Sequence, residues 1–178
     1  LISKEFVNVS QEDGRTLYHP VAHDVVLRRY LEHAEQVIRD LRLTLAPLRH
    51  GPADPTWRID PDGSWWRATR TPDGPATLRF EQGPSSIRIH AWGPGAERAV
   101  AQARELLGAR DTLEGFDPPP GPVRDLHRRL PGLRVPRSGA VLEAAVPAVL
   151  EQRVPAEEAH RAYRELVRAT GEPAPGPA

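Results

Sequence analysis

The chain has no cysteine and no methionine, and Lys4 is its only lysine. Without cysteine there is no disulfide, no thiolate metal site and no cysteine nucleophile. With one lysine, nearly all positive charge is arginine, and a lysine-based covalent mechanism has a single candidate. No apolar run is long enough to span a bilayer, and no charged-then-apolar leader with a cleavage site is present. These absences predict a soluble, cytoplasmic protein. Charge excess is missing too: 24 Lys and Arg balance 24 Asp and Glu. The overall balance therefore gives no support to nucleic-acid binding, and a local patch would have to carry it. The sequence begins at Leu1, which points to a trimmed product or a non-standard start codon.

What is present suffices for one substantial domain or two small ones: 178 residues, 39% of them hydrophobic. The 20 prolines, with abundant arginine, alanine and glycine, reflect the bias of a GC-rich genome. Residues 1–41 form a first segment. Leu1 to Val9 alternates weakly, and Gln11–Gly14 reads as a turn. From Val21 to Leu41, Val25, Val26, Tyr30, Leu31, Ala34, Val37, Ile38 and Leu41 recur at helical spacing, which predicts an amphipathic helix. Its apolar face is broad for a lone helix and offers a surface for self-association through residues 21–41.

Residues 42–109 change period. Short segments around Trp57–Ile59, Ser64–Arg70, Ala76–Glu81 and Ile87–Ala91 are separated by Pro61-Asp62-Gly63, Thr71–Gly74 and Gln82–Ser85. Ala76, Leu78 and Phe80 alternate with Thr77, Arg79 and Glu81. Ile87, Ile89 and Ala91 alternate with Arg88 and His90. Period two with such turns predicts an antiparallel meander with one buried face. After Gly93-Pro94-Gly95, a helix to about Leu107 is expected to cover the sheet and to stop at Gly108.

Residues 110–122 read as a linker, and 123–171 as three helical stretches. The first covers Val123 to Leu130 and is broken by Pro131-Gly132. The second takes Ser138 as N-cap, with Pro147 expected to kink or break it. The third starts at Pro155 as first helical residue, has Ala159, Ala162, Tyr163, Leu166 and Val167 as its apolar face, and ends at Gly171. The proline-rich tail, 172–178, reads as a linker. The fold class is thus α+β: a small antiparallel sheet domain with a covering helix, followed by further helices.

The run Arg129-Leu130-Pro131-Gly132-Leu133-Arg134, then Leu142 to Val154, then Ala159, Ala162, Leu166 and Gly171, resembles the helix–hairpin–helix DNA glycosylase superfamily. The specific likeness is to its 3-methyladenine-DNA glycosylase II branch. That branch carries a "PGLR" turn, an apolar helix ending near a glutamine, and a second helix behind a TATA-binding-protein-like sheet. The resemblance covers roughly Leu43 to Ala178. It implies that 123–171 are the first helices of an all-α glycosylase domain. It also implies a hydrolase of base excision repair that flips alkylated bases out of double-stranded DNA and cuts the N-glycosidic bond. In the family the helix–hairpin–helix and the catalytic aspartate lie further along than this chain reaches, so the 178 residues alone are expected to be inactive. Two positions depart from the pattern. Glu151 replaces the usual glycine before Gln152, and Arg153 stands where a hydrophobic wedge often follows it.

The resemblance places Gln152 and Arg153 nearest DNA. An arginine there can fill a vacated stack or bind a phosphate. Arg134 and Arg137, with Arg124, Arg128 and Arg129, either meet phosphates or form a solvated arginine-rich surface. The four tryptophans either stack on a cationic base or pack the sheet, packing being the commoner role. His19 and His23 are four apart, but Pro20 lies between them and a full ligand set is lacking, so no metal and no cofactor are expected. Lys4 lies outside the resembling region and supports no lyase step. The alternative is a non-enzymatic relative acting as a DNA-binding or protein-interaction module.

Overall fold

The computed structural model describes residues 9–12, 15–18, 29–30, 40–83 and 86–177. These residues form an α+β structure with seven strands and five α-helices. They fall into two compact units. One comprises the described residues within Leu1–Leu31, Pro55–Ala101 and Val167–Ala178; the other, those within Glu32–Asp54 and Gln102–Leu166.

In the first unit, β1 (Val9–Glu12) and β2 (Arg15–Tyr18) form an antiparallel hairpin. Four consecutive strands build the main sheet: β4 (Trp57–Ile59), β5 (Trp65–Thr71), β6 (Gly74–Gln82) and β7 (Ile87–Trp92). They pair antiparallel in chain order, and the two-residue β3 (Arg29–Tyr30) adds to the outer edge of β7. The turns follow the chemistry of their residues. Gly63 takes a φ of +83°, and the Asp62 carboxylate accepts the Ser64 N–H at 2.8 Å. At the two-residue Pro72-Asp73 turn, Thr71 pairs with Gly74 and donates its hydroxyl to the Gly74 carbonyl at 3.0 Å.

The register sets Trp65 opposite Phe80, Phe80 opposite Ile89, and Leu78 opposite Ala91. These residues share one face because side chains alternate along a strand. All are buried, with Phe80, Ile89 and Ala91 at 0% exposure. Fully burying a side chain such as Phe or Ile contributes roughly 1.5–3 kcal/mol. The helix α2 (Ala96–Leu106) follows, and its Ala96, Ala99 and Val100 are buried in the same unit.

The expectation of a single buried face needs correction. Trp66, Thr77, His90 and Trp92 lie on the opposite face and are also buried. Part of their cover is the proline-rich tail, expected only as a linker. Pro175 lies against Gly93, Gly176 against the Trp92 indole, and Glu172 pairs with Arg70. A Cβ on Gly176 would stand 3.0 Å from Trp92 Cγ, and the residue's φ is +107°. Glycine meets both demands.

The second unit opens with α1 (Leu41–Leu45), N-capped by Asp40, whose carboxylate accepts the Arg42 N–H at 2.8 Å and the Leu43 N–H at 3.3 Å. A 3₁₀ turn, η1 (Ala46–Leu48), continues it. Leu41, Thr44 and Leu45 are buried, as are Ala103 and Leu106 at the end of α2 and Leu107 just after it. Gly108, at φ +78°, stops α2 as expected. The helix expected over Val21 to Leu41 falls almost wholly outside the described residues. Where it does not, the structure differs: Arg29–Tyr30 is a strand, its backbone paired to the edge of β7, and Asp40 is the N-cap of a helix rather than a residue within one.

Three α-helices follow in chain order: α3 (Pro122–Arg129), α4 (Val141–Leu150) and α5 (Ala156–Thr170). Ser138 is not the N-cap of α4. That position is Ala140, with no side-chain cap, and the Ser138 hydroxyl instead accepts the Ala140 N–H at 3.3 Å in a local turn. Pro147 does not break α4, which runs through it. A proline removes one N–H, but its carbonyl is intact, and here it accepts the Glu151 N–H at 2.9 Å. Pro155 stands just before α5, its carbonyl accepting from Glu158 and Ala159. On α5, Ala159 and Tyr163 are buried, whereas Leu166, expected on the apolar face, is 40% exposed.

Candidate nucleic-acid interface

Gln152 and Arg153 lie on the turn between α4 and α5, and both are exposed. The turn is closed by backbone bonds from Glu151 to the Pro147 carbonyl and from Gln152 to the Val149 carbonyl. The two side chains that the resemblance points to are therefore presented to solvent by main-chain geometry.

The arginines before α4 differ among themselves. Arg134 is half-buried, and its guanidinium donates to the carbonyls of Pro131, at 3.1 Å, and Leu133, at 2.7 Å. Its Cβ also packs where a side chain on Gly108 would stand. It holds its own Pro131-Gly132 turn. Arg124 is likewise engaged, on the Pro118 carbonyl at 2.6 Å and the Asp117 carboxylate at 2.8 Å. Arg137 is exposed, with its backbone N–H on the Glu105 carbonyl at 3.0 Å. Arg128 and Arg129 are exposed in the last turn of α3, where the negative end of the helix dipole favours cations. The segment carrying Arg134 and Arg137 enters α4 and the turn carrying Gln152 and Arg153 leaves it. A helix of this length spans about 15 Å.

The tryptophans pack. Trp57, Trp65, Trp66 and Trp92 are only 5–8% exposed. Trp66 stacks on Trp92, its Nε1 donates to Asp60 at 2.7 Å, and the Arg58 and Arg79 guanidiniums lie 4.5 and 5.3 Å from its ring. The charged turns nearby perturb two carboxyls. The hydroxyl and backbone N–H of Ser64, and then Arg79, hold Asp62 below the ordinary carboxylate range. The Arg98 guanidinium, 2.6 Å from Asp73, does the same there and is itself held more firmly protonated.

One constellation had no sequence signal beyond the unusual Glu151. His50 Nδ1 lies 3.4 Å, and His160 Nε2 3.7 Å, from the same oxygen, Glu151 Oε1. Among the described residues no group of three or more metal-ligating side chains is arranged to hold an ion, and no helix is long and apolar enough to cross a membrane. His19, His23 and Lys4 lie outside the described residues.

No protein-family model matches the chain, and no curated protein matches it in sequence.

Proposed function

We propose that this chain is the sheet domain and first helices of a DNA glycosylase for alkylated bases, a base excision repair hydrolase acting on double-stranded DNA. The observation that carries the reading is the exposed Gln152-Arg153 pair on the turn between α4 and α5, behind the Pro131-Gly132-Leu133-Arg134 turn. In this reading Arg153 enters or flanks the stack emptied by the flipped base, and Arg137 meets a phosphate. Arg134 supports the turn from within rather than meeting DNA.

The test is fluorescence anisotropy of the chain on two duplexes, one undamaged and one holding a stable abasic-site analogue, across a salt series. Tighter binding to the analogue is expected, with log affinity falling linearly in log salt by about 0.9 per phosphate neutralised. Absence of salt-dependent affinity for either duplex overturns the reading.

One observation favours the second reading, a non-enzymatic interaction module. Val141 and Leu142 of α4 are 78% and 77% exposed, and Val149 is 64% exposed. An apolar row of this kind fits a protein partner. A DNA-free, salt-insensitive assembly would favour it.

A further inference from the structure

Glu151 stands where the resembling family carries glycine, and its carboxylate is held from two directions. His50 reaches it from the turn after η1, and His160 from the first turns of α5. Each is placed by its surroundings. The backbone N–H of His50 donates to the Asp54 carboxylate at 2.9 Å, and its ring meets Tyr163 of α5 edge-on at 5.0 Å. His160 lies against Gly51, where a Cβ would come within 2.8 Å of Nδ1, so its Nε2 is left for Glu151. The remaining charge on the His50 turn, Arg49, is directed to the Pro52 carbonyl at 2.8 Å.

We propose that His50, Glu151 and His160 form a protonation-sensitive clasp that positions the Gln152-Arg153 turn for DNA, with Glu151 as the positioning residue. The DNA part rests on the glycosylase reading above. At 3.4 and 3.7 Å the contacts are too long for strong neutral hydrogen bonds. A charged imidazole converts each into an ion pair with the carboxylate and draws it in. Histidine is the side chain whose charge ordinarily changes between about pH 5 and 8. The side chains are 21%, 42% and 25% exposed for His50, Glu151 and His160, so protons exchange freely with solvent. Glu151 is also the C-cap of α4 and directly precedes Gln152, so fixing its carboxylate fixes the start of the turn.

The experiment follows the amide resonances of Gln152 and Arg153, with the two imidazole Hε1 signals, from pH 8 to 5 in the 178-residue chain. The amides are expected to shift in step with both imidazoles. In Glu151→Gln the amides are expected not to respond over this range; Glu151→Asp restores part of the response. Amides that ignore pH in the wild type, or that titrate equally in Glu151→Gln, overturn the clasp. Should Glu151→Gln fold poorly, His160→Gln is expected to reduce the amide response to the part that His50 supplies, and an undiminished response overturns the clasp. In parallel, affinity for the abasic-analogue duplex is expected to tighten on acidification more in the wild type than in Glu151→Gln. Equal tightening overturns the positioning role. No DNA binding at any pH, with the amides titrating as expected, supports the clasp and fails the glycosylase reading instead.

Discussion

The indole rings of Trp66 and Trp92 stack 5.2 Å apart with 17° between their planes, on the sheet face opposite Phe80 and Leu78. The two belong to β5 and β7, so their contact crosses over β6, which runs between them. It joins β5 to β7 across the sheet. Replacing either ring with alanine leaves a large buried void, and a loss of about 3–5 kcal/mol is expected in urea unfolding. The double variant should lose less than the sum, by about 0.5–1.5 kcal/mol, the usual coupling of an aromatic pair. Strict additivity would show that each ring packs independently.

The tail contact makes a second prediction. Gly176 touches the Trp92 ring and has a backbone conformation that β-branched residues avoid. Gly176→Val is expected to release residues 172–177 from the sheet. Trp92 should become more accessible to acrylamide quenching. Unchanged protection would mean that Pro175 and Glu172 hold the tail without Gly176.

The strands β4 to β7, their turns and α2 were legible in the sequence, because alternation and Asp-Gly turns are local signals; β1, β2 and β3 were not. Ala76, Leu78 and Phe80 announce a buried face by themselves. The second buried face was not legible. Thr77 and His90 read as the polar alternates, and the cover of that face includes a distant tail segment, where Gly176 meets Trp92. The histidine clasp is hidden for the same reason: His50, Glu151 and His160 meet only through the packing of three separate elements. Ser138 misled because a serine before an apolar run is a good cap signal, while the chain here turns at Gly139, φ +66°, and the helix begins only after Ala140.

Asp73 and Arg98 give a pH prediction. The guanidinium lowers the Asp73 carboxyl below its ordinary value of 3.8 in the folded chain. A carboxyl depressed on folding adds stability above its unfolded value and loses it as pH falls through its folded one. Wild type and Asp73→Asn should therefore differ by a constant amount in thermal midpoint above about pH 5. The difference should close as the pH is lowered through 4 and below. The pair is exposed, so the difference should also shrink in high salt. A gap that persists at low pH would assign the effect to the neutral hydrogen bonds of the turn.

Arg134 and Arg153 separate structure from recognition. Arg134 donates to the Pro131 and Leu133 carbonyls, so Arg134→Ala removes the ties that close that turn. It should cost about 1–3 kcal/mol of stability, as expected for lost charge-assisted hydrogen bonds. Its effect on DNA affinity at a temperature where both proteins are folded should be small. Arg153 is exposed on its turn, so Arg153→Ala should leave unfolding within about 0.5 kcal/mol of wild type. Under the proposed function it should weaken binding to the abasic-analogue duplex. If Arg153 binds a phosphate, both duplexes lose affinity alike and the salt slope falls by about one. If it fills the vacated stack, the preference for the analogue falls while the slope holds. Should Arg134→Ala weaken binding and Arg153→Ala not, the DNA-facing surface lies at the entry to α4 rather than at its exit.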